Sequence, residues 1–182
     1  MDQENKHMSI SEAHPHLRDF MDYLSHFNEE STRGGVLVTC GFLEQQLKDI
    51  LLAFMVGNAA TQSLFEGGSA PLGTFSSRIH ACHALGLVTE DEYHDLNIIR
   101  KIRNEFAHRL NVSFEDRSIQ NRCKNLRKRA QGNKKKESQN PKANASEARV
   151  SFATCATAVI LHLVNRRAYV SRQRCSVDNW PY

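Results

Sequence analysis

Residues Gly34–Phe54 read GGVLVTCGFLEQQLKDILLAF, and this stretch decides the fold class. Leu37, Cys40, Leu43, Leu47, Ile50, Leu51 and Phe54 recur at intervals of three and four, which puts them on one side of a helix of 3.6 residues per turn. Glu44 and Lys48 stand four apart on the wet side, a pairing that supports a helix. Gly34-Gly35 marks a break or a helix start, and Gly57-Asn58 marks a stop. A helix with so wide an apolar stripe needs other elements to bury it, so the flanking sequence has to supply partners.

The flanks carry the same period. Ser9-Ile-Ser-Glu12 has the capping-box form, and His16–Phe27 sets Leu17, Phe20, Met21, Leu24 and Phe27 at helical spacing. Residues 58–73 read as a loop ending in Gly67-Gly-Ser-Ala-Pro-Leu-Gly73. A helix from Thr74 to Leu85 follows, with Phe75, Ile79, Cys82 and Leu85 inward, and stops at Gly86. Thr89-Glu-Asp-Glu92 opens the next helix, which runs to about Leu110 with Tyr93, Leu96, Ile99, Ile102 and Phe106 on its apolar stripe. A short helix over Ser118–Arg129 and a long one over Ser146–Val170 complete the set. The long one carries Val150, Ala153, Ala156, Val159, Ile160, Leu163 and Val164. No stretch alternates as a strand does. The expected fold is all-α, a compact bundle of about five to six helices. Residues 1–126 and 146–170 form the bundle, 127–145 a basic flexible linker, and 171–182 a basic tail.

Composition narrows the class. The chain has 182 residues, 40% hydrophobic and 24% charged, which suits one globular domain and excludes a mostly disordered chain. The net charge of +4 hides a partition. Residues 1–116 hold 9 Lys+Arg against 17 Asp+Glu, a balance of −8; residues 117–182 hold 15 against 3, a balance of +12. Five widely spaced cysteines with no Cys-x-x-Cys pair fit free thiols in a reducing compartment. The opening MDQENKHMS has no apolar core of a signal peptide, and the apolar run Ala156–Val164 is too short to span a bilayer. A cytoplasmic location without membrane contact is expected.

The chemistry-bearing segment is Ile98–His108, IIRKIRNEFAH. Ile98, Ile99, Ile102 and Phe106 supply a buried stripe, leaving Arg100, Arg103, Asn104 and His108 partly solvent-facing. Asn104 and His108 are neighbours one turn apart, while Arg103 and His108 lie roughly 140° apart and flank a groove. A guanidinium, an amide and an imidazole near a helix end can hold a phosphate and move its protons. On spacing alone the favoured reading is structural: a helix-end histidine satisfying the dipole and an arginine paired with Glu105 or Asp95 on the surface.

Arg103-Asn-Glu-Phe-Ala-His108 resembles the Arg-x(4–6)-His signature of HEPN domains, small helical bundles that often dimerise. Many are metal-independent endoribonucleases with a polar residue after the arginine, as Asn104 is here. That resemblance implies catalysis by Arg103, Asn104 and His108, with His108 activating the RNA 2′-hydroxyl, Arg103 stabilising the phosphorane-like transition state, Asn104 orienting them, and a second subunit completing the site. A longer resemblance runs from Gly35 to about Leu126. Ala70-Pro-Leu-Gly-Thr-Phe-Ser-Ser-Arg-Ile79, His83-Ala-Leu-Gly-Leu-Val-Thr-Glu-Asp-Glu-Tyr93, Arg103 and His108 follow in order the pattern of the mannitol operon repressor (MltR-like) family. It implies a small helical bacterial transcription regulator without an obvious DNA-binding domain. The family often lacks the Asn after the Arg.

Three further readings follow from the residues. The helix–turn–helix outline around Gly86 puts Glu90, Asp91, Glu92 and Asp95 where phosphates would lie, so direct sequence-specific DNA reading is disfavoured. Arg100, Lys101 and Arg109, with Arg127, Lys128, Arg129, Lys134, Lys135 and Lys136, are the candidate phosphate contacts; a solvated linker accounts for the second group equally well. His80 and His83 lack a second ligand pair, so no metal and no cofactor are expected. The expected function is regulation through a protein partner, as a homodimer; the alternative is an endoribonuclease acting on RNA.

Overall fold

The computed structural model describes residues 21, 23, 30–128, 141–178, 180 and 181. Among them the chain forms six α-helices and no strand: α1 (Thr32–Phe54), α2 (Ala59–Ser63), α3 (Phe75–Ala84), α4 (Glu90–His108), α5 (Arg117–Lys124) and α6 (Pro141–Val170), then a 3₁₀ turn over Ser171–Gln173. The all-α bundle is the fold. Helix α1 is its axis: α3, α4 and α6 pack on it, and α5 packs against α4 and α6.

Most boundaries follow from local chemistry. Ser31 starts α1, its hydroxyl accepting from the Gly34 N–H, so the glycine pair lies inside the first turn and does not break the helix. Thr74 with Ser77 and Thr89 with Glu92 form reciprocal capping boxes on α3 and α4. Between them, Gly86 takes φ +69°, and its N–H and that of Leu87 bond back to His83 and Cys82, closing a Schellman turn.

The structure departs from expectation at three places, with a partner beyond the element at two of them and a local proline at the third. The 58–73 loop contains α2 and is pinned by Arg78, whose Nε donates to the Leu72 carbonyl at 2.8 Å. Helix α5 stops at Lys124, not Arg129, because Leu126 turns into the core and Asp95 takes the N–H groups of Arg127 and Lys128. Helix α6 begins at Pro141, five residues before Ser146, since proline suits a first turn that needs no N–H. Residues 141–145 of the expected linker are therefore helical. Residues 129–140 lie outside the described residues, as does the expected first helix apart from Met21 and Tyr23.

The core is close to the predicted one. Cys40, Leu43, Leu47, Ile50 and Leu51 of α1 are buried, with Val36 and Thr39 taking the place expected for Leu37. Met21, Leu85 and Val150, expected inside, are 43%, 42% and 53% exposed. Leu85 is carried outward at the end of α3, and Val150 lies on the face of α6 opposite Phe152, Cys155, Ala156, Val159 and Leu163. The span Ala145–Gln173 is long and apolar enough to cross a membrane by length and composition, more than Ala156–Val164 suggested. In the fold one face of it forms core with α1, α4 and α5.

Candidate functional site

The last two turns of α4 carry the expected residues. Ile99, Ile102 and Phe106 are fully buried and Ile98 half-buried, which leaves Arg100, Lys101, Asn104 and His108 towards solvent. Arg103 donates from Nη1 to Asn104 Oδ1 at 3.3 Å. It also lies near Cys40 of α1: burial pushes that thiol up to about 12, against the pull of the Arg103 charge. His108 is exposed at the helix end and, among the described residues, bonds to neither Arg103 nor Asn104. Arg103 and Asn104 are thus brought together, and His108 is not joined to them.

The surroundings supply what sequence did not. Arg33 of α1 donates to the carbonyls of Ala107 at 3.0 Å and Arg109 at 3.3 Å, capping the C-terminus of α4 with a cation. Arg100 donates to Asn97 Oδ1 at 3.4 Å and, among the described residues, keeps a buried Nε without a partner; Lys101 is exposed. Arg109 is neutralised by Glu105 at 3.0 Å and Asp116 at 3.5 Å. Glu105 also holds Arg122 at 2.8 Å and Ser118 at 3.0 Å, so the surface pair with Arg103 does not form. Burial pushes the Glu105 carboxyl up, but the bonds from Arg122, Ser118 and Arg109 outweigh it and hold the group below the usual carboxylate range.

Part of the basic third is spent on the acidic body: Arg122, Arg127, Arg166 and Arg167 each pair with one of its carboxylates. Arg127 binds Asp91 and gives its N–H to Asp95 at 2.8 Å; Lys128 gives its N–H to the other Asp95 oxygen at 3.0 Å. Arg167 meets Asp49 at 3.4 Å, and Arg174 donates to the Leu52 and Met55 carbonyls at the end of α1. Arg129, Lys134, Lys135 and Lys136 lie outside the described residues.

What sequence reading missed is the burial of Glu92 and Asp95, which it placed on an acidic, solvent-facing helix start. Both are fully buried. Glu92 caps α4 through the Thr89 N–H, and receives Arg166 Nη2 at 3.0 Å and His162 at 2.9 Å. Burial pushes its carboxyl up, yet the bonds from Arg166, the Thr89 backbone and His162, with the Arg166 charge, hold it at about 2. Cys155 donates to Asp95 at 3.3 Å. Only the capping box was visible locally; the partners stand 70 and 74 residues away.

At the α3–α4 joint, the Tyr93 hydroxyl meets His80 Nδ1 at 3.0 Å, and His83 stacks on the Tyr93 ring at 4.0 Å while bonding Glu90 at 3.0 Å. No group of three or more His, Cys, Asp or Glu among the described residues is placed to hold a metal ion.

A sequence model of the MtlR family, described as Mannitol repressor, matches residues 24–168. No curated protein matches the chain. Among solved structures, a chain of the X-ray structure of the MtlR–HPr complex from Escherichia coli aligns at 20% identity with a TM-score of 0.54, covering 83% of this chain and 97% of that one. At this identity the likeness concerns the fold.

Proposed function

Because the chain belongs to the mannitol repressor family, we propose that it regulates transcription through a protein partner of the HPr kind, and not by laying a helix of its own in a DNA groove. The observation that carries this reading is the burial of Glu92 and Asp95. The start of α4, where a recognition helix would meet phosphate, is tied by Glu92 and Asp95 to α6 and to residues 127–128. Its remaining exposed carboxylates, Glu90 and Asp91, repel a phosphate backbone. Regulation then falls to surfaces that bind protein, as the Escherichia coli relative does with HPr. In this reading the chain works as a cytoplasmic homodimer.

Calorimetric titration of the full chain with HPr, alongside gel retention of an operator-length duplex, tests it. Saturable binding to HPr with only salt-sensitive, sequence-independent DNA retention supports the reading. No binding to HPr together with sequence-specific retention by the protein alone overturns it.

The ribonuclease alternative keeps one observation in its favour, the hydrogen bond that joins Arg103 to Asn104 one turn from His108, which has no hydrogen-bond partner among the described residues. Incubation of the chain and its His108→Ala variant with RNA in EDTA decides that question. Cleavage lost only in the variant makes His108 catalytic, with Arg103 and Asn104 as its candidate partners; intact RNA with both proteins leaves the three a cationic helix end.

A further inference from the structure

Helix α6 has a second face. Val150, Thr154, Thr157, Ala158 and Leu161 fall within a sector of about 100° opposite the core stripe. Val150 and Thr154 are exposed, and Ala153, Thr154, Thr157, Ala158 and Leu161 line a shallow groove. From Val150 to Asn165 no Asp, Glu, Lys or Arg occurs, in a chain where 24% of residues are charged. Arg149, Arg166 and Arg167, which bound this run, turn off the sector towards Glu30, Glu92 and Asp49, and on the sector itself charge returns at the two ends with opposite sign. Glu147 is exposed on the same sector at one end and forms no ion pair among the described residues. Arg172 lies over the Tyr169 ring, 5.8 Å from its centroid, at the other, with no carboxylate beside it among the described residues.

We infer that this face docks a second copy of the chain, with the two α6 helices antiparallel about a two-fold axis near residues 159 and 160. The inference rests on the homodimer proposed above and adds its surface and direction. A two-fold axis lays a stripe upon itself, so charge within the stripe would meet its own sign; an uncharged stripe avoids that. Small side chains at Ala153, Thr154, Thr157 and Ala158 let the helix axes approach to about 8 Å. With the axis so placed, Ala158 faces Leu161 of the second copy, and Glu147 faces Arg172 of the second copy at both ends. A parallel pair would set Glu147 on Glu147 and Arg172 on Arg172. Asn104 and His108 lie on α4 and are not among the residues of this face, so the pairing is argued independently of the ribonuclease site.

Sedimentation velocity on the full chain, with helix content followed by circular dichroism, provides the test. Thr154→Lys and Ala158→Lys are each expected to weaken the dimer at least tenfold with unchanged helix content. Glu147→Arg and Arg172→Glu each weaken it about threefold, and both exchanges in one chain restore it. Glu147 and Arg172 are exposed, so these variants keep the fold whatever Ala158→Lys does. A monomeric wild type overturns both the homodimer and this inference. A dimer indifferent to both lysine variants overturns the α6 surface and leaves the homodimer standing. Dissociation by lysine without rescue by the double exchange overturns the antiparallel direction.

Discussion

The Glu92 carboxylate caps α4 through the Thr89 N–H while receiving Arg166 and His162 from α6, so one buried anion ties a helix start to a helix 70 residues away. Its folded carboxyl, held at about 2, sits below the 4.5 of the unfolded chain. A carboxylate lowered in this way contributes its full stability above pH 4.5 and loses it as pH falls towards 2. The difference corresponds to about 3 kcal/mol. Glu92→Gln is therefore expected to lower the unfolding free energy by about 3 kcal/mol at neutral pH, the cost of leaving Arg166 without its anion. Urea unfolding of both proteins from pH 7 to pH 2 measures it. The gap should close through pH 4.5 to 2, and a gap independent of pH would show that the charge is not what holds the helices together.

Among the elements, two glycines give opposite expectations from their geometry. Gly41 lies mid-way along α1, exposed, with nothing within 4 Å of where a Cβ would sit. Gly41→Ala is expected to stabilise by about 1 kcal/mol, raising the melting temperature by about 2–4 °C. Gly86 holds φ +69° in the turn between α3 and α4, where any side chain strains the backbone. Gly86→Ala should lower the melting temperature by a similar amount. Thermal melts followed by circular dichroism report both, and equal melting temperatures for the two variants would contradict the assignment. The same contrast explains how far the elements were legible. Thr89 to Glu92, Gly86 and the stripe of α1 act within a few residues, so sequence displays them. The end of α5 depends on Asp95, 32 residues before Arg127, and no local pattern announces it. Val150 was misplaced because α6 is apolar on both faces, so periodicity alone does not say which one meets the core.

At the scale of the whole molecule, the halves of −8 and +12 meet through four arginines of the basic third that pair with carboxylates of the acidic body among the described residues. Arg122, Arg127, Arg166 and Arg167 bind Glu105, Asp91, Glu92 and Asp49, so the basic third holds down an acidic body that would otherwise repel itself. The candidate site was half legible for the same reason. Arg103, Asn104 and His108 are contiguous on α4, whereas Arg33 arrives from α1, and the neutralisation of Arg109 needed Asp116 in place. Cations already paired contribute little to polyanion binding, because leaving a carboxylate costs what a phosphate returns. Any retention on single-stranded RNA at moderate salt should therefore depend on Arg129, Lys134, Lys135 and Lys136 and hardly on Arg109 or Arg127. Changing those four to Gln is expected to reduce the slope of log affinity against log salt by about 0.7 per contact removed. Arg109→Gln and Arg127→Gln should leave that slope unchanged while lowering stability slightly. Filter binding across a salt series separates the two classes, and equal slopes for all variants would mean that residues 129–136 act only as a solvated connection.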